Sequence, residues 1–208
     1  MTALSLLGTV LGFAFAAGLN LYATVLVAGL AIRFDWLPLP VHLADLQVLG
    51  DPIVLAAAAV LYAVEFLADK IPAVDHAWDA VHSVIRPAGA TWIAWRAVGG
   101  AGLSEPVEVA LLLAAGGVAL SAHLGKAGTR LAVGASGGHF LGLGVFLSLL
   151  EDVVAFLLAP LSILVPFLVL AFVLVALLGS TAVIWRVRRR RHRAAAGSHG
   201  ASGARPSS

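Results

Sequence analysis

Cysteine is absent from this chain of 208 residues, and charge is scarce: only 12% of the residues are Asp, Glu, Lys or Arg. Without cysteine there are no disulfides, thiolate metal sites or cysteine nucleophiles. A soluble domain is about a quarter charged and about half apolar. Here 61% of the residues are hydrophobic and the mean hydropathy is +0.99. That balance excludes a water-soluble globular fold, a disordered chain and a nucleic-acid-binding domain. It predicts an all-α fold, a polytopic membrane helix bundle.

Positive charge is scarce in the body of the chain. Arg186, Arg188, Arg189, Arg190, Arg191, Arg193 and Arg205 lie in the last stretch, and the other six Lys and Arg face eleven Asp and Glu. The basic pI of about 9.5 is therefore a property of the tail. We divide the chain into a transmembrane domain, 1–185, and a basic cytoplasmic tail, 186–208. The Gly, Ala and Ser after Arg193 cannot bury apolar area and predict disorder. The run from Arg186 to Arg193 abuts a hydrophobic span, so we expect it to touch anionic lipid and to bind no nucleic acid.

No charge occurs from Met1 to Ile32. This stretch is longer than the apolar core of a signal peptide, and no Lys or Arg precedes it. As one straight helix, residues 4–32 would measure about 43 Å against about 30 Å of hydrocarbon. The segment must tilt, kink or break, and Gly18, Leu19 and Asn20 mark its middle. Further apolar segments cover 53–68, 87–103, 109–125, 140–159 and 161–185, giving about six crossings. The 87–103 segment, which holds Arg96, is the one that can dip into the membrane without crossing, which would leave five. Lys and Arg favour the cytoplasmic side. With six crossings both termini are cytoplasmic, in the inner membrane of the cell. Lys70, Arg86, Lys126 and Arg130 then lie inside, and the acidic loop with Asp35, Asp45 and Asp51 lies outside. Trp36, Trp92, Trp95 and Trp185 fall near predicted ends, as interfacial anchors do.

Residues 17–24 can be laid over 122–129, matching Ala17 with Ala122 and Thr24 with Thr129. Acids follow each copy downstream, Glu65 with Asp69 and Glu151 with Asp152. Three crossings per half give a possible 3+3 inverted repeat, an arrangement that places transport sites on interrupted helices near the midplane.

A charge at the bilayer centre costs at least about 2.5–3.5 kcal/mol, so embedded polar groups mark candidate sites. Glu65 and Asp69 share a helix face, with Lys70 beside them. Asp75, Asp79 and His82 fall on one helical face with His76 flanking, followed by Arg86. Carboxylate and imidazole at that spacing can hold a divalent metal or pass protons; the same stretch also reads as an amphipathic surface helix. His123, Lys126 and Arg130 surround Gly125 and Gly128, which allow a broken helix; this resembles an anion site, or an ordinary positive-inside loop. Glu151 and Asp152 lie about 18 Å along a helix from its start, close to the midplane, and point about 100° apart. Asn20, with Tyr22 and Thr24, either lines a pathway or bonds helices together. No HExxH, P-loop or nucleophile-elbow pattern is present.

The stretches beginning at Ala17, Leu61 and Val74, with Arg86-Pro87, Lys126 to Arg130 and Leu149 to Asp152, resemble a bacterial family of uncharacterised multi-pass membrane proteins, domain of unknown function 4126. The resemblance covers most of residues 13–160. It implies a membrane protein and carries no established activity.

Three functions compete. The leading expectation is a small transporter or channel-like protein for a small ion or anionic solute, with a pathway through Asn20, Glu65, Asp69, Lys70, Asp79, His82, Arg86, His123, Lys126, Arg130, Glu151 and Asp152. A structural or assembly protein, oligomeric or bound to a partner, is the second. The third is a metal-dependent intramembrane enzyme on lipid headgroups, using Asp75, His76, Asp79 and His82. The expectation that decides among them is that the embedded acids and bases gather in one interior.

Overall fold

The computed structural model describes residues 2–68, 71–135 and 143–202, with the side chains of Asp75, His76 and Arg130 outside the described set. The architecture is all-α: α1 (Ala3–Leu19), α2 (Leu21–Arg33), a 3-10 helix (Val41–Gly50), α3 (Pro52–Ala68), α4 (Pro72–Val98), α5 (Glu105–Ala135), α6 (Leu143–Leu164) and α7 (Pro166–Ser202). Two units are distinct, Met1–Val173 and Leu174–Ser208. The second continues as helix to Ser202, with the Arg189 guanidinium 4.8 Å above the Trp185 ring.

The charge-free first segment breaks where the sequence predicts. Asn20 is extended, at φ −150° and ψ 106°, and serves both as C-cap of α1 and as N-cap of α2. A helix that is apolar all round is a core helix or a membrane span, and α1 is buried from Gly8 to Gly18: Val10, Ala14, Ala16 and Ala17 have no exposed surface, and α4, α5 and α6 pack on it. Small residues let these neighbours approach closely. A Cβ on Gly18 would sit 2.8 Å from the Ala119 Cα and 2.8 Å from the Ala122 Cβ.

Other elements depart from expectation. The loop between α2 and α3, expected outside the membrane, is partly a 3-10 helix packed on α2, α3 and α4. Leu43, Leu46 and Leu49 are buried along it, at the three-residue repeat of a 3-10 helix. The expected surface helix around Asp79 and the apolar segment starting at Pro87 are one continuous helix, α4, with Pro87 inside it. His82 and Arg86 are buried rather than solvated, because that face packs against α1 and α5. Gly125 and Gly128 do not break α5; an interior glycine costs only about 1 kcal/mol, which the packing of α5 offsets. The aligned segments 17–24 and 122–129 therefore have different backbones. The last two apolar segments part at Val165, not at Pro160, which stays inside α6. Pro166 drives the residue before it out of helical conformation and then begins α7.

Among the described residues, two helices are long and apolar enough to cross a membrane, Glu105–Thr129 within α5 and Val145–Leu164 within α6. A third is available if the 3-10 helix and α3, bent by 61°, count as one span. Six crossings are more than these criteria yield. The break at Asn20 leaves α1 and α2 each short, and Asp79, Arg86 and Arg96 charge α4.

Two substitutions test this packing. Gly18→Val should push α5 from α1 and destabilise the protein by at least about 1–3 kcal/mol, read as a lowered melting temperature in detergent. Leu46→Ala should cost about 2–5 kcal/mol, whereas Val41→Ala, at a position 92% exposed, should leave the melt unmoved. Equal melts for the last two would show that the 3-10 helix does not insert.

Candidate functional site

The break between α1 and α2 creates the site. A helix end leaves its last carbonyls without intrahelical partners, and here long-range cations take two of them. Arg86 Nη1 of α4 donates to the Gly18 carbonyl at 3.1 Å, and Lys126 Nζ of α5 donates to the Leu19 carbonyl at 3.2 Å. Asn20 organises the break itself. Its Oδ1 accepts the Ala23 N–H at 2.9 Å, capping α2, and its Nδ2 donates to Asp152 Oδ1 of α6 at 2.9 Å.

Carboxylates surround the two cations. Arg86 Nη2 pairs with Glu65 Oε1 of α3, both side chains being completely buried. Lys126 Nζ stands 3.9 Å from the same Glu65 oxygen and 3.5 Å from Glu151 Oε2. Taking such ions out of water costs several kcal/mol each, repaid only by good geometry and further hydrogen bonds. Arg86 makes those bonds on both terminal nitrogens, leaving Nε without a hydrogen-bond partner among the described residues.

Two histidines extend the network, and their partners fix their tautomers. Arg86 Nη1 also donates to His123 Nδ1 at 2.8 Å. A guanidinium has no acceptor, so Nδ1 is the bare nitrogen and Nε2 carries the proton, donating to the Asp79 carbonyl at 3.0 Å. His82 is the reverse. Its Nδ1 lies 2.8 Å from the Trp78 carbonyl, which only accepts, so Nδ1 carries a proton, and Nε2 lies 3.0 Å from the Tyr22 hydroxyl. The bare Nδ1 makes the His123 imidazole neutral.

The structure thus gathers Asn20, Glu65, His82, Arg86, His123, Lys126, Glu151 and Asp152 at one place, drawn from four helices and the α1–α2 break. Asp79 joins through its backbone carbonyl, and its Oδ1 is buried without a hydrogen-bond partner among the described residues. Asp69 and Lys70, and the side chains of Asp75, His76 and Arg130, lie outside the described residues. Among the described residues, no three His, Asp or Glu side chains are grouped to hold a metal ion, and both His82 nitrogens are engaged. Glu151 and Asp152 diverge as adjacent helical residues must, yet both reach polar partners.

Sequence reasoning missed Tyr62, Ser83 and the carbonyls of the break. The Tyr62 hydroxyl donates to Asp152 Oδ2 at 3.4 Å, and Ser83 Oγ lies 3.2 Å from His123 Nε2. Their signal is helical spacing: Tyr62 precedes Glu65 by three residues, and Ser83 precedes Arg86 by three, each on its partner's face. A cavity of about 310 Å³ lies elsewhere, between α2, α3 and α4, lined by apolar side chains such as Leu21, Val25, Leu61 and Ile93. None of the ionic residues lines it.

No curated protein matches this chain, and no solved structure does. The family model described as a domain of unknown function, DUF4126, matches residues 7–188, nearly the whole of the helical chain just described. The break at Asn20 and all the acids and bases that converge on it fall inside that match, and the chain belongs to the domain of unknown function 4126 family.

Proposed function

We propose that this chain is an integral membrane protein that moves a small ion or an anionic solute, with the buried ionic network as its intramembrane site. In this reading α1 with α2, then α3, α4, α5, α6 and α7, supply six crossings of a cell's inner membrane. Both termini are cytoplasmic, and the Arg186 to Arg193 run lies against anionic lipid. The observation that carries the proposal is the convergence of charges on an interrupted helix, where transporters bind ions near the midplane. Polar groups retained at such depth are functional by default.

Of the two cargoes, the described residues favour a proton or small cation. Four acids, Glu65, Asp79, Glu151 and Asp152, stand against Arg86 and Lys126, and both cations are already met by carboxylates and carbonyls. An anion would have to displace Glu65 or Glu151 to reach them. In the inverted-repeat reading the two aligned segments meet where Lys126 donates to the Leu19 carbonyl, although only the first of them is broken.

A structural role has its own supporting observation. Arg86 alone joins α4 to α1, α3 and α5, as a pure assembly device would. The two readings separate by mutation. Glu65→Gln removes the carboxylate from a fully buried pair and should cost about 3–5 kcal/mol of stability, whichever reading holds. Glu151→Gln, at a side chain 14% exposed, should leave the melt nearly unchanged while abolishing pH-dependent flux in proteoliposomes. Equal flux from the wild type and Glu151→Gln would remove the transport reading and leave the assembly one.

A further inference from the structure

Of the four acids in this network, Asp79 is half-buried on α4, its carbonyl bonded to His123, and the other three differ in their company. Glu65 is held by Arg86 and Lys126, and Glu151 by Lys126. Asp152 is 4% exposed, and no cationic group pairs with it among the described residues. Its two oxygens meet only neutral donors: Asn20 Nδ2 at Oδ1 and the Tyr62 hydroxyl at Oδ2.

A buried carboxylate without a counter-charge is costly, and either a proton or a metal cation would relieve it. The neighbours decide between them. Na⁺, Ca²⁺ and Mg²⁺ need several oxygen ligands. The Asn20 amide cannot supply one, because its oxygen is committed to the Ala23 N–H, which fixes the NH₂ toward Asp152. Flipping the amide would set NH₂ against N–H. Asp152 therefore faces an amide donor on one side and, on the other, a hydroxyl that can both donate and accept. That surrounding suits the carboxylate and the carboxylic acid alike. With the proton on Oδ2, the acid donates to the Tyr62 oxygen and the Asn20 bond is untouched.

We infer that Asp152 is the proton-binding group of the network, so that the coupling ion is a proton rather than a metal cation. The inference deepens the transport reading and rests on it for the proton's passage across the membrane. Uptake forms one O–H bond at Oδ2, and release breaks the same bond, with no change of oxidation state. The groups facing Asp152 from the packed elements set the response to pH. These are Tyr62 on α3, Lys126 on α5 acting through Glu151, and Asn20, which does not titrate, at the α1–α2 break. Tyr22 on α2 is engaged by His82.

The test uses the full chain, with two readouts on the wild type, Asp152→Asn and Asp152→Glu. Infrared difference spectra between acid and neutral pH report the carboxylic-acid C=O stretch. Dye-filled proteoliposomes under a potassium diffusion potential report proton entry. The expected result is a band present in the wild type, missing in Asp152→Asn and displaced in Asp152→Glu, with proton entry lost in Asp152→Asn. If Asp152→Asn does not fold, Asp152→Glu decides alone: a displaced band supports the assignment and an unmoved band overturns it. Identical spectra for the wild type and Asp152→Asn overturn it, as does Na⁺ raising the melting temperature of the wild type but not of Asp152→Asn. If the band behaves as expected while wild-type vesicles are no leakier than empty ones, the proton site stands and the transport reading falls.

Discussion

The ion pair between Arg86 and Glu65 is the constraint around which the bundle is arranged. Both side chains are fully buried, so neither charge can be abandoned: a lone guanidinium or carboxylate there would be paid for in several kcal/mol. The same guanidinium fastens the Gly18 carbonyl and His123, so one side chain fixes α4 against α1, α3 and α5 at once. Lys126 repeats the device one helix over, reaching the Leu19 carbonyl and two carboxylates.

The break at Asn20 gives those cations their targets. Two carbonyls at the end of an apolar helix are an electronegative spot that no side chain of α1 provides, since α1 carries no charge. The polar interior is therefore assembled from two sources, backbone oxygens on one side and acids of α3 and α6 on the other, with Arg86 and Lys126 between them. Asp152 stands at the edge of this arrangement, held by Asn20 and Tyr62 alone among the described residues. No cation pairs with it among the described residues.

Much of this was legible in the residues. The absence of charge before Arg33, against the length of that stretch, locates the break. Glu65, His123, Glu151 and Asp152 stand out because apolar segments have no use for them on a lipid-facing side. Their convergence was an expectation that no single helix could establish, because the contacts span large sequence separations. Arg86 and the His82 face were harder. In sequence that stretch alternates polar and apolar residues as a surface helix does, and only the arrival of α1 and α5 on its polar side makes it interior. The 3-10 helix was readable in hindsight, since Leu43, Leu46 and Leu49 recur every three residues. A period of three over so short a run is not distinctive among so many leucines. Gly125 and Gly128 misled for a different reason: glycine permits a break, but tertiary packing decides whether one occurs.

The order in which the chain leaves the ribosome gives the Asn20 break a further meaning. Its carbonyls are 68 and 107 residues away from the Arg86 and Lys126 nitrogens that serve them, and Asn20 is 132 residues from Asp152. The α1–α2 segment is therefore synthesised before the groups that serve its polar joint. The joint is complete only once α6 has been made and Asp152 has met the amide of Asn20.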